Sequence, residues 1–270
     1  MNHNTSLHLQ LGKTTVRLRT DCDALKLALA HIYRPFVVDD NIDSLPSLQK
    51  TQNVDAWRAS VDGKEFVFAE LHSAIRTLED VVAHRLLREV SNCLLLHAAA
   101  VSDDRLCILV VGPSGCGKTT IALELVRRGM RYITDEFTAI EACGTVLRPF
   151  PRSATQKFDS QTPLGMTLKI PGEQDYRAHI LPDHRSELTA YPMPSCRIIF
   201  PKYQKDIAPA ARPLCPAEIC ARLMPSIFDF EGHEEDVWPI LANVVTRSSA
   251  CEFNYSEAKT DLDLAMNLLR

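Results

Sequence analysis

The chain has 270 residues, of which 46% are hydrophobic, which is enough apolar material for a large buried core in one or two domains. Its net charge of −4 and its isoelectric point near 6.1 lack the basic surplus of nucleic-acid-binding domains, so we expect no nucleic-acid partner. Every apolar run is shorter than the roughly 18 residues that suggest a membrane span, and we therefore expect no membrane segment.

The first part of the chain predicts a small α+β module. Its predicted elements are hairpins around Gly12-Lys13 and Asp62-Gly63-Lys64 and helices over 23–33 and 72–91. The hairpins rest on alternating apolar residues around glycine turns, and the helices rest on apolar residues spaced by three and four. We take 1–91 as an N-terminal domain and 92–270 as a second domain.

The second part alternates between strand and helix patterns. The predicted strands are 94–101, 106–111, 132–140, 146–150, 197–200 and 251–255, and the predicted helices are 121–128, 216–224, 234–248 and 257–269. Residues 151–194 are rich in Pro, Gly and charged residues, and we expect them to form loops around a site.

Cysteine usage and the first residues of the chain bear on its compartment. The 9 cysteines are scattered and form no C-x-x-C pair, which is typical of a reduced protein without a zinc site. Residues 1–6 carry neither the basic start nor the apolar run of a secretory signal peptide. We therefore expect a cytoplasmic protein.

The run G-P-S-G-C-G-K-T-T matches in full the phosphate-binding motif G-x-x-x-x-G-K-[ST]. It lies between a predicted strand and a predicted helix, so that backbone N–H groups and the helix N-terminus can bind phosphate together. Lys118 is expected to reach the β- and γ-phosphates, and Thr119 to hold Mg²⁺. The predicted nucleotide-binding residues are Gly112, Pro113, Ser114, Gly115, Cys116, Gly117, Lys118, Thr119 and Thr120.

Two adjacent carboxylates, Asp135 and Glu136, follow in the strand predicted over 132–140. Phosphoryl transfer needs a carboxylate for Mg²⁺ and often another that orients or deprotonates the attacking hydroxyl. Neighbouring residues of a strand point to opposite faces, so one carboxylate can face the nucleotide while the other supports the metal. A turn-forming Asp-Glu pair is the alternative.

Two further residues are candidates for the same site. His97 lies inside the predicted strand 94–101, which we expect to pair with the strand before the glycine loop; a buried core histidine is the alternative. Arg152 lies in a basic stretch with Arg148 and Lys157, and its guanidinium suits phosphoryl oxygens. An ordinary basic loop is the alternative for this stretch.

Two nucleotide-hydrolase classes are disfavoured by missing motifs. The chain contains no N-K-x-D sequence, which argues against a GTPase of the Ras type, and no L-S-G-G-Q sequence, which argues against an ABC transporter ATPase.

The chain resembles the HPr kinase family through His97 in L-L-L-H-A-A-A-V, the glycine loop, and Asp135-Glu136 in Y-I-T-D-E. This resemblance implies an α/β fold with a P-loop kinase core of the phosphoenolpyruvate-carboxykinase-like type, preceded by the small α+β module. The stretches around Pro151-Arg152, Cys196 to Gln204 and C-E-F-N-Y-S-E-A are similar to a divergent branch. Proteins of that branch occur with peptide-modification gene clusters and are similar to the lasso-peptide tailoring kinases.

The resemblance implies an ATP- and Mg²⁺-dependent serine kinase acting on a peptide or protein, here a lasso-type ribosomal precursor peptide. Asp135 is then the general base, and His97 neighbours the transferred phosphoryl group. Lys118 binds phosphate and Arg152 joins the catalytic residues, while Thr119, Asp135 and Glu136 hold the metal.

The chain departs from the family at two points. Glu136 stands where a second Asp is usual, and no arginine-glycine signature follows the acidic pair. We therefore expect no phosphorolysis and a substrate other than HPr. A small-molecule kinase on the same fold and a nucleotide-binding regulator without catalysis are the alternatives, and the oligomeric state is left open.

Overall fold

The structure is a computed structural model. It describes residues 5–38, 56–87, 92–157, 164–169, 177–193, 195–228 and 234–269. The chain divides into two compact units, of which the first comprises 1–91 and 152–181 and the second comprises 92–151 and 182–270.

The elements of the described residues are named here in chain order. The strands are β1 (Thr5–Leu11), β2 (Thr14–Thr20), β3 (Trp57–Val61), β4 (Lys64–Phe68), β5 (Cys93–Ser102), β6 (Cys107–Val111), β7 (Arg131–Thr134), β8 (Phe137–Glu141), β9 (Val146–Arg148), β10 (Ala154–Lys157), β11 (Gly165–Lys169), β12 (Arg177–Pro182), β13 (Tyr191–Pro192), β14 (Cys196–Tyr203), β15 (Ala210–Pro213) and β16 (Ser248–Tyr255). The helices are α1 (Asp23–Ile32), α2 (Leu71–Leu87), α3 (Lys118–Arg127), α4 (Pro216–Leu223), α5 (Glu234–Arg247) and α6 (Ala258–Leu268). None of the helices in the described ranges has the length and apolar character needed to cross a membrane.

The first unit contains an antiparallel sheet in the order β1-β2-β3-β4. Both predicted hairpins are confirmed, with Gly12 and Asp62-Gly63 at their turns in the positive-φ conformation. Along β2, Val16 and Leu18 are buried while their neighbours are exposed or half-buried, so one face of the sheet forms a core. Helices α1 and α2 contact this sheet and each other.

Residues 152–181 also belong to the first unit. They contain a second sheet in the order β10-β12-β11, so the prediction of loops over 151–194 is wrong at these strands and at the short β13. The strands are short, and they are stabilised by pairing with each other rather than by a local pattern. The division into functional domains 1–91 and 92–270 stays a prediction.

The second unit is built on a sheet in the order β13-β9-β8-β5-β6-β14-β16-β15, with β7 pairing to β5. Strand β6 is buried at all five positions, as expected for a strand covered on both faces. Helices α4 and α5 contribute to one core with Leu96, Leu109 and Ile198. Helix α3 contacts β5, β6 and β7 and packs beside α6. The described fold is therefore mixed α/β.

Candidate functional site

The glycine-rich run forms a loop, residues 112–117, between the end of β6 at Val111 and the start of α3 at Lys118. We call it the phosphate loop. The succession of strand, loop and helix predicted from the motif is present. The loop ends on Gly117, which adopts a left-handed conformation with φ +100 and directly precedes the first turn of α3. The N–H groups of that first turn therefore face the loop without intrahelical partners.

Tyr255, at the end of β16, supports the phosphate loop. A Cβ atom built on Gly117 would lie 1.7 Å from the Tyr255 hydroxyl oxygen, so only glycine fits against this side chain. The hydroxyl donates a hydrogen bond of 3.3 Å to the carbonyl of Cys116, and its ring stacks on Phe253. Burial raises the pKa of Tyr255, which keeps the hydroxyl protonated as a donor. Sequence reasoning missed this residue because its contact spans 139 positions.

We expect Gly117→Ala to destabilise the protein more than Gly129→Ala. Gly129 has a similar positive φ of +97, but a Cβ there meets nothing within 4 Å, so this control measures backbone strain alone. Strain at one such position costs about 1–2 kcal/mol. At Gly117 the displacement of Tyr255 adds an overpacking cost of about 1–3 kcal/mol. Urea unfolding of both variants measures the difference, and equal losses would contradict the close packing.

The Lys118 side chain folds back over the first half of the phosphate loop. Its ammonium donates hydrogen bonds of 2.8 Å to the carbonyl of Gly112 and 3.2 Å to that of Pro113. Burial lowers the pKa of Lys118, and the nearby Cys116 and Asp135 partly oppose this shift. A buried cation that donates to loop carbonyls is suited to bind phosphate oxygens, which stabilise its charge better.

Asp135 is the acidic centre of the site. Its carboxylate accepts a hydrogen bond of 3.3 Å from the Thr119 hydroxyl and one of 3.1 Å from the Tyr132 hydroxyl. The residue is only 6% exposed. Thr119 lies in the first turn of α3, so the structure brings the predicted metal-binding hydroxyl and a predicted carboxylate together. Hard oxygen donors of this kind are the ligands that Mg²⁺ prefers.

The strand predicted over 132–140 is wrong at its centre. Asp135 and Glu136 form a bend between β7 and β8, both of which pair with β5. The Thr134 hydroxyl accepts from the backbone N–H groups of Glu136 and Phe137, which stabilises this bend. Glu136 is half-buried, and its carbonyl accepts a hydrogen bond of 3.2 Å from Ala98. The two carboxylates are therefore presented from a bend and not from opposite faces of a strand.

His97 lies on β5 between the phosphate loop and this bend. Its neighbour Ala98 pairs with Val111, which precedes the loop, and His97 itself pairs with Phe137 on the other side. The ring is half-buried and lies 5.8 Å from that of Phe228. Burial, and secondarily the charge of Lys118, lowers the pKa of His97, so the imidazole is neutral at pH 7.

We expect His97 to make stability depend on pH. Its pKa in the folded protein is below the ordinary value of 6.5. As the pH falls below that value, the unfolded chain binds a proton that the folded protein excludes, so stability is full above about pH 6.5 and declines in acid. His97→Gln removes this contribution, and the free energy of unfolding should then fall less between pH 7 and pH 5. Identical pH profiles of the two proteins would contradict the shift.

Arg152 has a different environment from the other predicted catalytic residues. It belongs to the first unit, where its guanidinium forms a 2.9 Å ion pair with Glu79 of α2. Both residues are 8% exposed, and His179 Nδ1 lies 3.8 Å from the same Glu79 oxygen. The pair joins the segment after residue 151 to α2. The catalytic role of Arg152 stays a prediction, and its observed contacts are those of a core ion pair.

A cleft with a volume of about 720 Å³ opens beside the phosphate loop. We call it the loop cleft. Its inner end is lined by the half-buried His97 and Gly112, and its outer end by the exposed Ser114 and Lys202 and by Arg222. Its size is in the range of ligand sites, which is about 300–1,000 Å³.

Comparison with known proteins supports the resemblance seen in the motifs. Over 58 residues the chain is 43% identical to the HPr kinase/phosphorylase of Clostridium botulinum (strain Eklund 17B / Type B) and, equally, to that of Clostridium botulinum (strain Alaska E43 / Type E3). The match covers 21% of this chain and 19% of each relative, so the chain spans about a fifth of the length of the curated relatives it matches. This identity supports a relationship to HPr kinase/phosphorylase.

Two further comparisons complete this result. No known protein-family model matches the chain. The solved structure of the Hpr(Ser) kinase/phosphatase from Coxiella burnetii is similar with a TM-score of 0.29 and 12% identity, and the match covers 64% of this chain and 95% of that one.

Proposed function

We propose that this protein is an ATP- and Mg²⁺-dependent kinase that phosphorylates a serine hydroxyl of a peptide or protein. The observation that carries the proposal is the convergence of Lys118, Thr119 and Asp135 at the start of α3, beside the phosphate loop. Phosphoryl transfer depends on positioning and on charge stabilisation, and this cluster supplies a cation, a hydroxyl and a buried carboxylate. The partial identity to HPr kinase/phosphorylase supports the same activity.

The residues present fit a nucleotide with its metal. The loop is packed closely enough on Tyr255 that Gly117 has no space for a side chain, which favours a fixed backbone cradle. The oxygens of Thr119 and Asp135, with Glu136 beside them, form a donor set that suits Mg²⁺. When bound, Mg²⁺ would neutralise charge on the phosphate oxygens.

The proposed reaction is a direct transfer. The substrate hydroxyl oxygen forms a bond to the γ-phosphorus of ATP, and the bond between that phosphorus and the bridging oxygen of ADP breaks. Asp135 accepts the hydroxyl proton, while Tyr132 and Thr119 hold its two oxygens in a fixed orientation. The Lys118 ammonium gives up its hydrogen bonds to the loop carbonyls and donates to phosphate oxygens instead. The neutral imidazole of His97 adds no charge near the reacting group.

For the substrate we propose a ribosomally made precursor peptide of the lasso type. This proposal is supported by the likeness of residues around Cys196 to Gln204 and of the C-E-F-N-Y-S-E-A segment to the branch associated with peptide modification. Every cysteine, all nine lying in the described residues, is a free thiol, which is compatible with a reducing cytoplasm.

Mass spectrometry of candidate precursor peptides, after incubation with the protein, ATP and Mg²⁺, tests this function. We expect a mass gain of one phosphate that depends on all three components. Transfer to free metabolites but to no peptide would favour a small-molecule kinase. Nucleotide binding without any transfer would favour a regulator and would overturn the kinase proposal.

A further inference from the structure

The loop cleft opens at the end of the phosphate loop that holds the Lys118 ammonium. That ammonium is bonded to the carbonyls of Gly112 and Pro113, and both residues also line the cleft. In a loop of this motif the lysine reaches the β- and γ-phosphates, so the transferable phosphoryl group lies at this end of the loop. The cleft therefore adjoins the group that is transferred.

The strand at the inner end of the cleft, β5, also pairs with β7 and β8 on either side of the carboxylate bend. His97 lines the cleft and lies on β5, directly across from Phe137, which follows Asp135 and Glu136. Strand β5 lies between β6, which leads into the phosphate loop, and β8, which follows the bend that carries the proposed base. A hydroxyl bound at this end of the cleft therefore lies between the loop and the bend. This is the arrangement that an acceptor of the phosphoryl group requires.

The outer end of the cleft is open to solvent. Pro113, Ser114 and Pro225 are exposed along its sides, and Tyr203 at its rim is 53% exposed. A closed pocket would select a small molecule, whereas this cleft leaves space for a chain to enter and leave. The exposed Tyr203 ring offers an apolar surface against which such a chain can pack.

The rim carries one cation that is available to a ligand. Arg222 is engaged by an ion pair with Glu252 and lies over the Phe200 ring at 5.7 Å. Lys202 is exposed and has no acidic partner among the residues that the structure describes. Because Arg222 and Glu252 neutralise each other, the unbalanced charge of the rim is that of Lys202.

We propose that the loop cleft is the acceptor site and that it selects a peptide with an acidic side chain near the phosphorylated serine. The serine hydroxyl enters at the His97 end, and the acidic side chain pairs with Lys202 at the rim. This inference rests on the proposed kinase function and adds the substrate class that the site would take. The transfer itself is the one written above, with the hydroxyl proton passing to Asp135.

The test uses the full chain, ATP, Mg²⁺ and serine peptides that carry either Asp or Lys at each position flanking the serine. At one of the flanking positions, we expect wild-type protein to phosphorylate the Asp peptide about tenfold more efficiently than the Lys peptide, mainly because the KM of the Asp peptide is lower. Lys202→Glu should reverse this preference. Lys205→Glu, which changes an exposed lysine that does not line the cleft, should keep it.

The outcomes separate the inference from the function on which it rests. If wild type phosphorylates Asp and Lys peptides equally, or if Lys202→Glu keeps the acidic preference, the acceptor assignment is wrong and the kinase function stands. If calorimetry detects ATP binding and no peptide is phosphorylated, both fail. Circular dichroism of each variant checks that the fold is intact, which we expect because both lysines are exposed.

Discussion

Lys118→Met is expected to lower the rate of phosphate transfer about a hundred- to a thousandfold while the protein stays folded. The ammonium is the cation nearest the first half of the phosphate loop, and charge stabilisation of this kind is worth about 10²–10³ in rate for a single donor. Burial already disfavours the charged form, so its removal should cost little stability. Single-turnover transfer from labelled ATP measures the rate.

Asp135→Asn is the companion to this experiment. The amide keeps the shape of the carboxylate and can still accept from Tyr132, but it cannot take a proton. We expect a loss of similar size with nucleotide affinity largely kept. Tyr132→Phe, which only removes one hydrogen bond to Asp135, should be much milder. Normal transfer by either Lys118→Met or Asp135→Asn would show that chemistry occurs elsewhere.

Arg152→Met is expected to destabilise the protein by about 3–5 kcal/mol, because it removes the guanidinium that neutralises a buried carboxylate. That carboxylate belongs to Glu79, which is 8% exposed and lies 2.9 Å from the guanidinium. Arg148→Met breaks an ion pair of similar length, 3.0 Å to Glu141, in which the arginine is exposed and the carboxylate partly exposed, and is the matched control. It should cost about 1 kcal/mol or less. Urea unfolding measures both.

The double variant Glu79→Met with Arg152→Met separates a structural from a catalytic role of Arg152. Replacing both members of a buried pair with apolar side chains removes the uncompensated charge, so we expect most of the stability to return. If the refolded double variant transfers phosphate at the wild-type rate, the predicted catalytic role of Arg152 is wrong. A stable but inactive double variant would support that role.

The phosphate loop could be predicted because its information is local. The motif fixes the backbone, and the apolar runs before and after it predict β6 and α3 without reference to the rest of the chain. The position of His97 beside the loop was also predictable, since consecutive apolar strands joined by a short turn pair with each other. Asp135 was found for a similar reason, although as part of a strand that the structure bends at this residue.

The contacts that complete the site depend on residues far apart in the sequence. Tyr255 reaches the loop from β16, and Lys202 reaches the cleft at the end of β14. No local period distinguishes these residues from ordinary surface or core positions. The sequence by itself determined the strand, glycine loop and helix that predict phosphate binding, because the motif lies within one short segment. Only the tertiary structure decided which side chains support that loop and line its cleft, because those contacts form when distant strands join one sheet.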